Sequence, residues 1–255
     1  MRDLFDDLGE PVPLDGPPSR VVSLVPSLTE AVEVSAPGRL VGATDYCTHP
    51  STLDVPRVGG SKYPKVDDVL AVRPDLVLAN SEENRPEDVQ RLRANGVPVF
   101  VMEAAASVPA ALGSLRRLLT QVYELIEPAW LVEAEELWRT TGPVRHRAVI
   151  PVWRKPWIVL GHDTFAGDVL RRVGVANAYA DAEDRYPRPP LAELQAAEAD
   201  VVILPDEPYE FTADDGPGFF PDLRPALVSG RYLTWYGPSL VEAHGALTRS
   251  LAELS

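Results

Sequence analysis

The chain has 255 residues, 45% of them hydrophobic, and a formal net charge of −14. This length suits one large domain or two lobes with cores of their own. Lysine and arginine never occur in a run longer than two, which disfavours nucleic acids and anionic membranes as partners, because both need a basic protein surface. Cys47 is the only cysteine, so an intramolecular disulfide bond is excluded.

The first 19 residues are acidic and rich in proline, with five acidic residues before Pro18. We predict an extended arm over residues 1–19. Since this segment lacks the apolar stretch of a secretory signal, we expect the protein to act in the cytoplasm. A periplasmic or extracellular location is the alternative if Met1 is not the natural start.

Short apolar runs and helical patterns alternate over residues 20–107. The predicted strands cover residues 21–25, 40–43, 76–79 and 98–102. The predicted helices cover residues 28–35, 66–73 and 86–95. Such alternation predicts a parallel sheet in an N-terminal α/β lobe. Ser27 and Glu30 have the spacing of a capping box, which predicts that the first helix begins after Ser27.

Val108–Thr140 has an almost continuous helical pattern that Pro128 interrupts, and we assign residues 108–142 to a linking helical segment. The alternation then resumes in a C-terminal α/β lobe over residues 143–255. Its predicted strands cover residues 147–152, 157–160 and 200–204. Its predicted helices cover residues 164–173, 190–198 and 238–253. The predicted fold class is therefore α/β, with two Rossmann-like lobes and mostly parallel sheets.

Three stretches of the N-terminal half also carry a family resemblance. They are RVVSLVPSLTEAV from Arg20, VGATDYCTHP from Val41 and VGGSKYPKVDDVLAVRPDLVLAN from Val58. They resemble the substrate-binding proteins of iron-siderophore, haem and cobalamin importers, the helical-backbone metal receptors or type III substrate-binding proteins. The resemblance implies a single long linking helix, a ligand cleft between the lobes and little movement of the lobes on binding.

Polar and aromatic residues cluster after the predicted strands, where an α/β fold presents its functional groups. The candidate ligand-binding residues are Tyr46, Glu82, Glu83, Asn84, Arg85, Trp153, Arg154, Trp157, Asp163, Glu207, Trp235 and Tyr236. Arg85 could hold a carboxylate or amide of a ligand. The indoles of Trp153 and Trp157 flank a cationic pair, which is typical of a surface that binds a flat ligand. The alternatives are a solvated helix start for residues 82–85 and core packing for the two tryptophans.

The histidines show none of the spacings typical of metal sites. Cys47, His49, His162 and Asp163 are the only plausible donors, so we predict neither a resident metal nor a cofactor. A ligand that arrives as a preformed chelate or corrinoid needs few protein donors, and we predict a solute-binding protein for such a ligand.

Catalytic motifs are also missing: the sequence has no GxSxG, no P-loop and no GxGxxG that follows a strand. We therefore predict that the protein is not an enzyme. The alternative hypothesis is a small-molecule enzyme that uses Glu82, Glu83, Arg85 and Asp163.

In the family that the sequence resembles, one glutamate on each lobe pairs with arginines of a membrane permease. Asp67 matches the first position. Ala192 matches the second, with Glu193 one residue later, and one step along a helix turns a side chain by about 100°. We therefore expect docking on an ABC permease to be impaired, and we interpret the chain as a cytoplasmic relative. A receptor of an ABC importer is the alternative if the protein is exported.

Overall fold

The structure, a computed structural model, describes residues 3–252 and Leu254. These residues divide into two compact units. Unit 1 comprises the chain up to Ala104, Leu112–Val132 and Tyr236–Pro238, and unit 2 comprises Ala105–Ala111, Glu133–Trp235 and the chain from Ser239. The arm thus belongs to unit 1, and the predicted linking segment 108–142 is shared between the units.

Unit 1 contains a parallel sheet. Its strands are β1 Val21–Ser23, β2 Leu40–Ala43, β3 Leu76–Asn80 and β4 Val99–Met102, in the order β2-β1-β3-β4. Its first three helices are α1 Pro26–Ser35, α2 Val66–Ala71 and α3 Pro86–Ala94. β1 pairs with β3 so that Val22 lies opposite Val77, and both side chains join Leu92 of α3 in the core.

The predicted capping box is wrong, because α1 begins earlier than the sequence pattern indicates. Val25 is the N-cap residue and makes no side-chain cap hydrogen bond, while Pro26 occupies the first helical position. Proline suits this position because its fixed φ matches a helix and its missing N–H would have no intrahelical partner. Ser27 is therefore a buried residue inside the first turn.

The predicted linking segment contains two helices. Helix α4 covers Val108–Arg117 and continues as a π-helical turn, Leu118–Val122, and α5 covers Ala129–Trp138. Residues 123–128 are not helical. Glu124 has a φ of 56°, and a residue before proline, such as Glu127, avoids the helical conformation. The interruption at Pro128 is thus wider than one residue.

Unit 2 has its own parallel sheet and a short antiparallel hairpin. Its strands are β5 His146–Val149, β6 Pro151–Trp153, β7 Ile158–Val159, β8 Val175–Asn177, β9 Val201–Pro205 and β10 Arg224–Val228. Its other helices are α6 Phe165–Arg172, α7 Leu191–Gln195, α8 Gly230–Thr234 and α9 Ser239–Ala252. The parallel sheet has the order β10-β9-β5-β8, and β6 pairs with β7.

Strand β10 was not predicted from the sequence, because its residues do not form an apolar run. Only Ala226 and Val228 are buried in this strand, and Pro225 has no N–H to donate. Both features suit the edge position of β10, where one side of the strand has no neighbour in the sheet. Within residues 3–252 and 254, no helix has the length and apolarity needed to cross a bilayer.

Candidate functional site

In unit 1, the loops after β2 and β3 lie at the carboxyl edge of the sheet. The loop after β2 carries Tyr46 and Tyr63, whose side chains are 65% and 68% exposed. The ring of Tyr46 lies against Gly60, where an added Cβ would come within 3.3 Å of Cε2 of the ring. Large exposed rings at the edge where α/β proteins bind ligands form a candidate binding surface.

The loop after β3 is organised by two buried asparagines. The Asn84 side chain accepts the N–H of Asn80 at 2.8 Å and donates to the Ser61 carbonyl at 2.8 Å. The Asn80 side chain accepts the N–H groups of Glu82 and Glu83 at 2.8 and 3.2 Å. Asn84 therefore positions the backbone of this loop. Asn80 has the same role, and it was not predicted from the sequence.

Glu83 is a partly buried acid beside the hydroxyl of Tyr236. Asn80 Nδ2 donates to the Tyr236 hydroxyl oxygen at 2.9 Å, and this hydroxyl lies 3.5 Å from Glu83 Oε1. Burial, together with the charge of Glu82, raises the pKa of Glu83 to about 7, despite the hydrogen bond from Tyr236, which lowers it. Two predicted site residues, far apart in the sequence, thus meet in unit 1.

We expect Glu83→Gln to stabilise the protein at pH 8 but not at pH 5. An acid whose pKa is raised by folding contributes stability that is lost as pH rises through the folded pKa. Wild-type stability should therefore fall between about pH 5 and pH 8 relative to the variant, by about 1–3 kcal/mol. Urea denaturation of both proteins at the two pH values measures this difference. Glu87→Gln, on the exposed first turn of α3, is the control, and an equal difference at both pH values would contradict the prediction.

Arg85 already has partners within unit 1. Its Nη2 lies 2.8 Å from Asp88 Oδ2, and its guanidinium carbon lies 4.8 Å from the centre of the Tyr63 ring. Because the cation stacks on an exposed ring, Arg85 and Tyr63 together form a flat, partly charged surface.

In unit 2, Trp153 at the end of β6 is an exposed aromatic residue, with 42% of its surface accessible. Its indole meets the Tyr209 ring edge to face at 5.6 Å. Asp215 accepts a hydrogen bond from the Tyr209 hydroxyl at 2.6 Å and forms an ion pair with Arg154. The Arg154 side chain is largely buried. Asp215 therefore positions Tyr209 and Arg154, a role that no local pattern in the sequence indicates.

Trp157 is half-buried and packs against the core of unit 2. Its indole stacks on Phe211 at 6.2 Å and meets Phe219 and Phe220 edge to face, both at 5.4 Å. Phe211 and Phe220 are buried in one cluster with Val149 and Val202, and Trp157 and Phe219 pack against this cluster. The structure thus separates the two predicted tryptophans: Trp153 is exposed, and Trp157 is half-buried against the core.

Glu207 and Trp235 meet at the carboxyl edge of the unit 2 sheet. The indole N–H of Trp235 donates to Glu207 Oε2 at 3.2 Å, and the Trp235 side chain is buried. A Cβ on Gly230 would lie 2.5 Å from the Cβ of Glu207, so only glycine fits there. Asp163 has a φ of 46° and an exposed carboxylate 4.0 Å from His162 Nε2.

The candidate metal donors do not assemble. Over the described residues, no group of three or more His, Cys, Asp or Glu side chains could hold a metal ion. Cys47 is buried against the hydroxyls of Thr29 and Thr44 at 2.9 and 3.1 Å. Burial raises the pKa of its thiol, so Cys47 is a structural residue of low reactivity.

The candidate docking acids are exposed on helices. Asp67 lies in the first turn of α2 and pairs with Arg91 at 2.6 Å. Ala192 and Glu193 lie in the first turn of α7. Burial and the neighbouring carboxylate of Glu193 raise the pKa of Tyr179. Both acids therefore already interact with side chains of their own unit.

No protein-family model matches the chain. The vitamin B12-binding protein of Vibrio cholerae is 23% identical over 198 residues, which are 73% of this chain and 70% of the relative. An uncharacterised ABC transporter substrate-binding lipoprotein of Bacillus subtilis, YvrC, is 26% identical over 189 residues, 69% of this chain and 60% of the relative.

Among solved structures, the periplasmic haem-binding protein BhuT in complex with two haems superposes with a TM-score of 0.76 at 25% identity, covering 93% of this chain and 99% of BhuT. The resemblance and the two parallel-sheet lobes expected from the sequence are thereby confirmed. The chain is a relative of the vitamin B12-binding proteins and has the type III fold of the periplasmic substrate-binding proteins.

Proposed function

We propose that this protein binds a metal chelate or corrinoid-type small molecule of the cobalamin, ferric siderophore or haem class and does not convert it. The observation that carries the proposal is the placement of aromatic rings and polar groups in the segments that follow strands of both parallel sheets. Tyr46 and Tyr63, which are exposed, and Glu83 follow β2 and β3 in unit 1; in unit 2 the exposed Trp153 ends β6, the strand after β5, and the half-buried Tyr209 follows β9. The named ligands of the relatives support the same class.

The chemistry of these surfaces suits a large, flat ligand. Aromatic faces contribute contact area at low cost in side-chain entropy, and edge-to-face pairs such as Trp153 and Tyr209 hold each ring in place. Carboxyl and hydroxyl groups beside them can hydrogen-bond the side chains at the ligand periphery. The described residues contain no group of three or more His, Cys, Asp or Glu side chains that could hold a metal ion, and in this proposal the ligand brings its own metal.

A titration tests the proposal. Purified protein is mixed with cyanocobalamin, haemin and a ferric siderophore, and tryptophan fluorescence and visible absorbance are followed. We expect saturable binding of at least one of them. Mass spectrometry of the recovered ligand should show it unchanged. Chemical conversion would favour the enzyme hypothesis, in which Glu82, Glu83, Arg85 and Asp163 act on the ligand, and no binding would contradict the proposal.

A receptor of an ABC importer is the second candidate function, which the similarity to the Bacillus lipoprotein favours. It requires that Asp67 and Glu193 contact a permease. Uptake of the ligand by cells that express the cognate permease would support this role if Asp67→Ala abolishes uptake and leaves ligand affinity unchanged.

We further propose that the protein acts in the cytoplasm and does not dock on a permease. Support comes from Asp67, which pairs with Arg91 of its own unit, and from the exposed methyl group of Ala192 at the second docking position. Fractionation of cells that express the natural gene tests this location. Recovery of the protein in the periplasm or on the cell surface would favour the importer receptor.

A further inference from the structure

Within the described part of the chain, the Glu83 carboxyl has one hydrogen-bonding neighbour, the hydroxyl of Tyr236, which donates to it. Asn80 Nδ2 donates to the Tyr236 hydroxyl oxygen at 2.9 Å, and the Tyr236 hydroxyl donates to Glu83 Oε1 at 3.5 Å. Tyr236 is itself buried. One oxygen of Glu83 is thereby oriented as an acceptor, and its second oxygen is left for a group outside this cluster.

The charges around Glu83 favour a proton on it. Glu82 precedes it in the same loop, and its charge adds to burial in raising the pKa of Glu83. The nearby cations are occupied: Arg85 pairs with Asp88, and Lys62 Nζ lies 3.4 Å from the Glu82 carbonyl. Within the described part of the chain, no lysine or arginine forms an ion pair with Glu83.

We propose that Glu83 recognises the ligand in its protonated form and donates a hydrogen bond from its carboxylic O–H to a carbonyl or amide oxygen of the ligand. This inference rests on the proposed function and names the chemistry of one part of the ligand. Tyr236 is the positioning residue, since its hydroxyl holds the other oxygen of Glu83. At a pH where the free protein has lost the Glu83 proton, binding must take up about one proton.

The same arrangement discriminates between ligand peripheries. An amide or carbonyl oxygen accepts the carboxylic O–H without bringing a charge into the loop. A carboxylate would bring a negative charge next to Glu82, which like-charge repulsion disfavours. We therefore expect this edge of unit 1 to select a chelate with amide side chains over one with carboxylates.

The test compares two corrinoids with the same ring, dicyanocobinamide with amide side chains and dicyanocobyrinic acid with carboxylates. Affinity is measured between pH 5.5 and 8.5, and calorimetry in buffers of different ionisation enthalpy counts the protons taken up. Infrared difference spectra of the ligand-free protein between pH 5.5 and 8.5 report the Glu83 carboxyl band directly. Glu83→Gln is the variant, and Glu87→Gln, on the exposed turn of α3, is its matched control.

We expect the wild type and Glu87→Gln to bind the amide corrinoid about 10-fold more weakly at pH 8.5 than at pH 5.5, because about one proton is taken up. Glu83→Gln should bind with an affinity that does not change with pH, and it should lose the infrared band. Equal affinity of the wild type at all pH values, or stronger binding of the carboxylate corrinoid, would overturn the role of Glu83 alone. If no corrinoid, haemin or ferric siderophore binds at any pH, both the proposed function and the role of Glu83 in ligand binding are wrong. The infrared band of the ligand-free protein would then still show whether Glu83 is protonated.

Discussion

Trp157→Ala is expected to lower the free energy of unfolding by about 3 kcal/mol, because it removes a half-buried indole that packs against the core of unit 2 and leaves a gap there. The indole contacts three phenylalanine rings, of which Phe211 and Phe220 are buried. The phenylalanine rings could fill the vacated space only if strand residues of the same cluster, such as Val149 and Val202, also moved. Urea denaturation followed by circular dichroism measures the loss.

Trp153→Ala is the matched comparison, since it removes the same side chain four residues earlier. Trp153 is exposed and contacts Tyr209 edge to face, so the variant should retain stability within about 1 kcal/mol. Its affinity for the ligand should fall by about 30-fold, the effect of losing an aromatic anchor. A variant Trp130→Phe controls for fluorescence changes, because the Trp130 indole bonds Ser35 at the far end of α1.

The opposite pattern would assign the ligand surface to Trp157. A loss of affinity in Trp157→Ala at full stability, with unchanged affinity in Trp153→Ala, would show that the phenylalanine cluster opens to bind. Equal losses of stability in both variants would show that Trp153 is also a core residue and would remove it from the candidate site.

Local patterns predicted the strands well where a strand is buried on both faces. β2 covers Leu40–Ala43, as predicted, and all five residues of β3 are buried. In a parallel sheet covered by helices, such strands are continuous apolar runs that the sequence displays directly. The edge strand β10 carries no such run, since three of its five residues are exposed.

The candidate site was only partly predictable, because its geometry depends on partners that are distant in the sequence. Tyr236 meets Asn80 across 156 residues, and Arg154 meets Asp215 across 61. Glu83 and Trp153 could be predicted as site residues from the sequence, because they are polar or aromatic residues that lie next to the ends of predicted strands. No local spacing could show that Asn84 faces the backbone of its own loop or that Trp157 faces three phenylalanines.

Asp6→Ala is expected to lower the free energy of unfolding by about 3 kcal/mol, although the arm that carries it looked like an extended tail in the sequence. The Asp6 side chain is fully buried and lies 2.6 Å from Nη2 of Arg93 in the last turn of α3. It also accepts the N–H groups of Leu8 and Glu10, both at 2.9 Å. Its removal leaves these N–H groups without their acceptor and the Arg93 cation without its carboxylate, with only the Val99 carbonyl still accepting from Arg93 at 3.3 Å.

The arm also covers the exposed side of β4, which is an edge strand of the unit 1 sheet. The N–H of Asp7 donates to the Val101 carbonyl at 3.1 Å, and the carboxylate of Asp7 pairs with Arg117 at 2.6 Å. An uncovered edge strand offers unpaired backbone groups to other chains. Asp6→Ala should therefore also raise aggregation during refolding, measured by light scattering.

Asp3→Ala, on the exposed start of the arm, is the control for the loss of one acid, and its stability should match that of the wild type. Asp6→Asn separates the two contributions of Asp6, because an amide oxygen still accepts the N–H groups of Leu8 and Glu10 but carries no charge for Arg93. An intermediate stability of Asp6→Asn would assign part of the effect to the ion pair. If Asp6→Ala were as stable as Asp3→Ala, the arm would contribute nothing to unit 1, and its packing on β4 would have no consequence for folding.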